Sequence, residues 1–266
     1  MEVVGGTSKF WRPGNLPTVA NEHRRRSRQQ FERPPALSHC RLWLEADQIT
    51  GVAADATFQT WSDLSGLGND ASQSTSANRP TYRASGGPGD KPYVDFSGSP
   101  VHMRADGVAD DLSGNDTPYS AIAVAKFNAT GVAHCIFGLG DTAQATNNHM
   151  ICGCNTTAFL AQRRDSATAS ATGGTTDTAW GILVYRFSGT AIELFRNGAS
   201  VIASTVLNTG SITFNATGIG ALVRSGVGSY LAGGIAFLAV YDDSIPESFR
   251  FHIERYLARK YQIGLS

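Results

Sequence analysis

Short runs of alternating hydrophobic and polar residues recur along most of this chain, with the two-residue period of half-buried β-strands. Residues 40–46 (CRLWLEA) alternate leucines with polar positions, and residues 119–127 (YSAIAVAKF) are apolar on both faces, as in the middle strand of a sandwich. Asn197-Gly198 between two such runs predicts a β-hairpin. Eight or more strands at this spacing predict an all-β, antiparallel two-sheet sandwich. We expect further strands at residues 91–98, 134–140, 149–154, 157–163, 179–187, 191–205, 211–223 and 230–242.

The period changes near the end of the chain, where apolar residues recur every three or four positions. Ser244 and Glu247 have the spacing of a capping box, with Pro246 in the first turn. We therefore expect a C-terminal helix over residues 245–263, ending before Gly264 and packing its apolar stripe on the sandwich. That stripe consists of Phe249, Ile253, Tyr256 and Leu257.

Residues 1–38 differ from the rest of the chain. Residues 1–36 carry seven Lys or Arg against three Asp or Glu, whereas the other 230 residues carry fifteen against nineteen. Such a segment cannot bury enough apolar surface to fold alone. We expect an extended basic N-terminal arm over residues 1–38, ordered by a partner, and a sandwich over residues 39–266. The arm is interrupted by Pro13, Pro17, Pro34 and Pro35.

The composition and the first residues of the chain indicate the compartment in which the protein is made. Hydrophobic residues make up 41% of the chain, enough for a core, but they nowhere form the ~20-residue apolar run of a membrane span. The first residues, MEVVGG, lack the apolar region of a secretory signal. We therefore expect synthesis in a reducing cytoplasm and no membrane partner, with the cysteines present as buried thiols. The cysteines are Cys40, Cys135, Cys152 and Cys154.

Five segments carry a family resemblance. Residues 42–47 (LWLEAD), 60–73 (TWSDLSGLGNDASQ), 79–82 (RPTY) and 91–98 (KPYVDFSG) resemble the opening of laminin-G-like, concanavalin A-like jelly-roll domains, and residues 233–264 resemble their closing strand and helix. The resemblance covers nearly all of the chain after the arm. It implies two antiparallel sheets, one of them concave.

Domains of this kind occur in secreted bacterial proteins and in tailed-phage virion proteins, including tail fibres and head decorations. With a basic arm and no signal peptide, the chain is more similar to the virion group. We expect a non-enzymatic virion structural protein whose arm docks on other virion proteins in a homo-oligomeric or symmetric assembly. Clustered arginines also suit nucleic acid, but the body offers no basic groove to extend that contact, so an acidic protein surface is expected instead. The arm residues expected to bind the partner are Trp11, Arg24, Arg25, Arg26, Arg28 and Phe31.

Two other functions compete with this interpretation. A carbohydrate-binding module or cell-surface adhesion protein would bind a glycan, such as one on a host surface, through exposed aromatics, for which Tyr82, Tyr93 and Tyr230 are the candidates. A glycoside hydrolase would need two carboxylates flanking one bond. The chain has no E-x-D-x-x-E run, and its lone strand carboxylate, Glu193, suggests a solvent-facing strand position. No catalytic residue is therefore assigned.

Two motifs raise the question of metals. His149, Cys152 and Cys154 lie close in sequence, but structural zinc usually takes a second matched pair of ligands. The turn between Asp63 and Asp70 has oxygen ligands suited to calcium, although Asp, Ser and Asn also stabilise ordinary turns through their own backbone. We expect no cofactor, with calcium at this turn as the alternative.

Overall fold

The computed structural model describes residues 37–166, 168–206 and 210–266, which belong to one compact unit, Ala36–Ser266. Within them the chain forms twenty strands and two α-helices, α1 (Gly107–Asp111) and α2 (Glu247–Tyr261). Neither helix is long and apolar enough to cross a membrane. The strands are β1 (Cys40–Glu45), β2 (Thr60–Trp61), β3 (Ala71–Ser72), β4 (Thr81–Arg83), β5 (Tyr93–Ser97), β6 (Met103–Arg104), β7 (Gly114–Asn115), β8 (Tyr119–Phe127), β9 (His134–Gly140), β10 (His149–Cys154), β11 (Phe159–Arg164), β12 (Thr168–Gly173), β13 (Gly181–Phe187), β14 (Ala191–Arg196), β15 (Ala199–Val206), β16 (Ser211–Ile212), β17 (Ala216–Ile219), β18 (Leu222–Val223), β19 (Val227–Gly228) and β20 (Ala232–Tyr241).

Two eight-stranded antiparallel sheets account for most of these strands. Sheet A has the order β15-β14-β13-β8-β20-β5-β4, with β1 pairing along the other half of β20. Sheet B has the order β12-β11-β10-β9-β17-β6-β3-β2. Two small ribbons, β7–β16 and β18–β19, complete the set. The predicted all-β sandwich with a C-terminal helix is confirmed.

Strand β8 shows why some runs are apolar on both faces. Ala121, Ala123 and Ala125 belong to the core between the two sheets. Ile122 and Val124 point the other way, into a second apolar cluster beneath α2. Sheet A is therefore buried on both sides, by sheet B and by the helix.

The predicted hairpin joins β14 to β15. Asn197 and Gly198 have φ angles of 51° and 87°, the left-handed values that a two-residue type I′ turn requires at both central positions. Arg196 pairs directly with Ala199 across the turn. The hairpin prediction is confirmed.

Helix α2 packs as predicted but begins and ends differently. It starts at Glu247 with Pro246 as the N-cap and no side-chain cap, so the predicted capping box is wrong: Glu247 binds arginines instead. The helix ends where Gln262 takes a left-handed conformation at φ 53°, two residues before Gly264. Of the predicted stripe, Ile253 and Leu257 are fully buried, while Phe249 and Tyr256 are partly buried.

Candidate functional site

The outer faces of the two sheets differ in chemistry. The centre of the outer face of sheet A is apolar and packs against α2 through Ile253, Leu257 and Tyr261. The outer face of sheet B, the side away from the core, carries polar side chains on β10, β11 and β12, with only a small apolar cluster of Cys135, Ile151, Leu160 and Leu222. The polar part of this face on β10, β11 and β12 is therefore a candidate binding surface.

The strand register sets these side chains in rows, because directly paired residues of an antiparallel sheet share a face. His149 pairs with Gly140 on one side and with Arg164 on the other. Ile151 pairs in the same way with Gly138 and with Gln162. On β12, Thr168 pairs with Arg164 and Ser170 pairs with Gln162, so the two hydroxyls extend the two rows.

Residues 220–231, here called the covering segment, lie across part of this face. A Cβ added to Gly140 would lie 1.9 Å from the carbonyl oxygen of Val223, and one on Gly138 would lie 3.2 Å from Leu222 Cδ1. The backbone amide of Cys135 donates to the carbonyl of Ser229 at 2.8 Å. The missing side chains of the two glycines thus let the covering segment approach the sheet.

Beside the covering segment, one hydrogen bond links the two rows. The Nε2–H of His149 donates to Gln162 Oε1 at 2.9 Å, which leaves the amide NH2 of Gln162 free to donate. Burial lowers the pKa of His149, and the positive charges of Arg224 and Arg164 lower it further, although the Gln162 hydrogen bond opposes them. His149 is therefore a neutral imidazole near neutral pH.

Two arginines flank His149. Arg164 occupies the same row, and Arg224, from the covering segment, lies over Gly140, whose added Cβ would be 3.0 Å from Arg224 Cγ. The Nε atoms of both arginines are buried without a hydrogen-bond partner. Burial and the charge of Arg164 lower the pKa of Arg224. The site is therefore rich in donors and in positive charge.

The aromatic candidates do not come together. Tyr82 is buried in the core, so its prediction as an exposed binding residue is wrong. Tyr93 packs edge-on against Trp180 at 5.3 Å on the outer side of sheet A. Tyr230 is partly exposed at the end of the covering segment, where its carbonyl oxygen lies 2.9 Å from His134 Nδ1.

The two metal motifs have other arrangements. His149 points to the outer face of sheet B, whereas Cys152 and Cys154 point into the core, so these three residues do not face one another. The carboxylate of Asp63 accepts hydrogen bonds from the backbone amides of Trp43, Ser65 and Asn69 and from the Ser65 hydroxyl. It therefore holds the turn together in the way expected of an Asp in a Gly-rich turn.

The predicted arm lies outside the described residues except for its last two positions, 37 and 38. Its expected role in docking stays a prediction. The arm residues concerned are Trp11, Arg24, Arg25, Arg26, Arg28 and Phe31.

Sequence reasoning singled out His149, as a metal candidate, and missed the other residues of this site. Gln162 lies in the predicted strand 157–163 and Arg164 lies one residue beyond it, and the alternation of β11 could have assigned both to the face opposite Ala161 and Arg163. No local pattern links them to Arg224, which is some sixty positions further along the chain.

Solved structures with similar folds support this picture of the architecture. The CBM40 module of the Ruminococcus gnavus IT-sialidase bound to α2,3-sialyllactose aligns with a TM-score of 0.50 and 13% identity, over 59% of this chain and 92% of the module. The same module bound to α2,6-sialyllactose aligns with a TM-score of 0.51 and 12% identity, over 61% of this chain and 95% of the module.

A third structure covers more of the chain. Domain 4 of AbnA, a GH43 extracellular arabinanase from Geobacillus stearothermophilus, in complex with arabinotriose, aligns with a TM-score of 0.53 and 15% identity, over 82% of this chain and 98% of that domain.

Sequence comparisons add no relative. No family model matches the chain, and no curated protein matches it. The expected virion role gains no support from the three structures and stays a prediction. At these identities the likeness concerns the fold: the chain shares a β-sandwich architecture with carbohydrate-binding modules.

Proposed function

We propose that this protein binds a saccharide on the outer face of sheet B. The observation that carries the proposal is the set of unused hydrogen-bonding groups there: the amide NH2 of Gln162 and the Nε–H groups of Arg164 and Arg224. On the outer side of sheet A, by contrast, α2 packs against the centre, and Arg83 and Arg186 are already paired with carboxylates.

The chemistry of the face suits a polyhydroxylated ligand. Saccharide hydroxyls donate and accept, so a binding surface needs both kinds of group at fixed positions. Gln162 and Arg164 supply donors from β11, and the exposed hydroxyls of Thr168 and Ser170 on β12 supply donors and acceptors beside them. The strands hold these groups at sheet spacing, which reduces the entropy lost when a ligand binds.

The structural comparisons support the same class of function. Two of the similar structures were solved with a saccharide of the sialyllactose type and one with arabinotriose. Their low sequence identity means that residues cannot be transferred from them, so the site is assigned here from its own geometry.

We also propose that binding is not followed by hydrolysis. Strands β9 to β12 and β17, which form the centre of the face, contain no Asp or Glu, whereas glycosidases place two carboxylates across the scissile bond. Glu193 lies on sheet A, where its Oε2 is 2.5 Å from Arg186 Nη2.

A glycan array probed with the full chain tests the proposal. Binders are then measured by calorimetry with Gln162→Ala and with Arg255→Ala, whose side chain is exposed on α2, as the control. Losing one or two hydrogen bonds should weaken binding about three- to tenfold in Gln162→Ala and leave Arg255→Ala unchanged. Failure of every saccharide to bind, or equal affinity in both variants, would overturn it.

A further inference from the structure

We propose that the saccharide carries an anionic group, a carboxylate or a sulfate, and that Arg164 and Arg224 hold it. This inference rests on the proposed function and names the chemical class of its ligand. It comes from how these two arginines differ from the other arginines of the described chain.

The other arginines of the sandwich are mostly paired with carboxylates. Arg164 and Arg224 make no ion pair within 4.0 Å with any carboxylate of the described residues, and their Nε atoms are buried without a hydrogen-bond partner. A buried N–H without a hydrogen-bond partner is costly, so such a group is expected where a ligand supplies the partner. The rest of each side chain is partly exposed and open to that ligand. The arginines paired with carboxylates are Arg41, Arg83, Arg104, Arg163, Arg186, Arg196 and Arg250.

The two guanidinium groups come from different parts of the fold to one place. Arg164 ends β11 and pairs across the sheet with His149, while Arg224 follows β18 and lies over Gly140, the other neighbour of His149. In this arrangement the charge of Arg164 lowers the pKa of Arg224, and both charges lower the pKa of His149. An anion beside both arginines would relieve this repulsion.

Asp141, one of the acidic side chains near the arginines, is already hydrogen-bonded. Asp141 follows β9, and its carboxylate accepts hydrogen bonds from the amides of Asn148 and Asn215 and from the backbone N–H of Ala143. It is therefore held in its own loop and does not neutralise the arginines.

Donor geometry favours a planar or tetrahedral oxyanion. Guanidinium groups donate two parallel hydrogen bonds to a carboxylate or sulfate, and Gln162 adds a neutral donor from the adjacent row. A neutral sugar would leave both positive charges uncompensated. The charge on the ligand is thus expected to supply a large part of its affinity.

Matched pairs of ligands test the inference with the full chain. Calorimetry would compare lactose with 3′-sialyllactose and with lactose 3′-sulfate, which separates a carboxylate from a sulfate. We expect at least one acidic form to bind about tenfold or more tightly than lactose, with the difference shrinking as salt is raised. Arg164→Gln and Arg224→Gln should remove the preference, and Arg224→Lys should keep part of it.

Arg104→Gln is the matched control, because Arg104 lies on the same sheet but its Nη2 is already 2.6 Å from Asp106 Oδ2. Arg104→Gln should leave the tighter binding of the acidic form, relative to lactose, unchanged. Equal binding of lactose and both acidic forms would overturn the anionic inference and leave saccharide binding standing. The anionic inference would also be overturned if Arg164→Gln and Arg224→Gln, shown by circular dichroism to be folded, still bound an acidic form more tightly than lactose. No binding by any saccharide would overturn both proposals.

Discussion

Arg250 and Glu254 form an ion pair in the interior of the protein, with 2.6 Å between Nη1 and Oε2. Both lie on α2 and are almost completely buried. The Arg250 guanidinium carbon also lies 3.7 Å from the centre of the Phe195 ring on sheet A, and its other nitrogens bind Glu247. One arginine therefore binds two carboxylates of its own helix and joins the helix to the sheet through the face of an aromatic ring.

This arrangement predicts unequal costs for removing its members. Arg250→Met leaves the buried Glu254 carboxylate without its charge partner and should lower the free energy of unfolding by about 3–5 kcal/mol. Burial raises the pKa of Glu254 despite Arg250, so its charge is poorly compensated. Glu254→Gln keeps an acceptor and removes that charge, and should cost about 1 kcal/mol or less. Urea unfolding measures the free energy of unfolding of both variants. Equal losses of that free energy in the two variants would contradict the prediction.

The contact between the glycines and the covering segment predicts a second difference. In Gly140→Ala the new methyl group meets the Val223 carbonyl, so the segment must move, at a cost of about 1–3 kcal/mol. Hydrogen exchange should rise across residues 220–231. Gly226→Ala is the control, because its added Cβ meets no atom within 4 Å and should change stability by less than about 0.5 kcal/mol. Unchanged exchange in Gly140→Ala would show that the segment is not held this way.

His149 predicts a pH dependence of stability. Its pKa is below the ordinary value of 6.5 in the folded protein, so the unfolded chain binds this proton more readily. Its contribution is therefore fully present above about pH 6.5 and is lost as the pH falls below that value and through the lower pKa of the folded protein. Arg224→Gln removes a nearby positive charge and should raise the pKa of His149, as measured by NMR titration of the imidazole. A pKa unchanged in this variant would place the two groups too far apart to interact.

Buried thiols predict chemical inertness. Burial raises the pKa of Cys40 and Cys152 to about 12 and that of Cys154 to about 11, and it raises the pKa of Cys135 well above its ordinary value. Since the thiolate is the reactive form, none should react with Ellman's reagent in the native protein at about pH 8. All four should react in denaturant. Rapid labelling of one native thiol would indicate local opening around it.

Much of the fold could be predicted from the sequence because its strands carry large apolar side chains. Strand β8 matches its predicted run, and β9 and β10 match theirs. Strand β12 was missed because its sequence, TASATG, alternates only small residues and so gives a weak signal. The capping box was predicted wrongly because Glu247 forms ion pairs with Arg186 of sheet A and, within the helix, with Arg250.

The candidate site could not be predicted in the same way. Exposure of aromatic residues is decided by packing, which places Tyr82 inside and Tyr93 under Lys126. Arg164 and Arg224 come together because the covering segment lies across sheet B. The spacing of residues along the sequence carries no information on that contact. The buried thiols were predicted correctly because cysteine behaves as a small hydrophobic residue.

Strand β20 lies at the centre of sheet A, where it pairs with β8 along one edge and with β5 and β1 along the other. Its partners all precede it by a hundred residues or more, so their pairing must wait until the ribosome has released residues 232–241. Until then the edges of β1, β5 and β8 that will pair with β20 present unpaired backbone N–H and C=O groups and are open to association with other chains. We expect the nascent protein to fold late and slowly for its size, as contacts between distant residues require, and to depend on chaperones during synthesis.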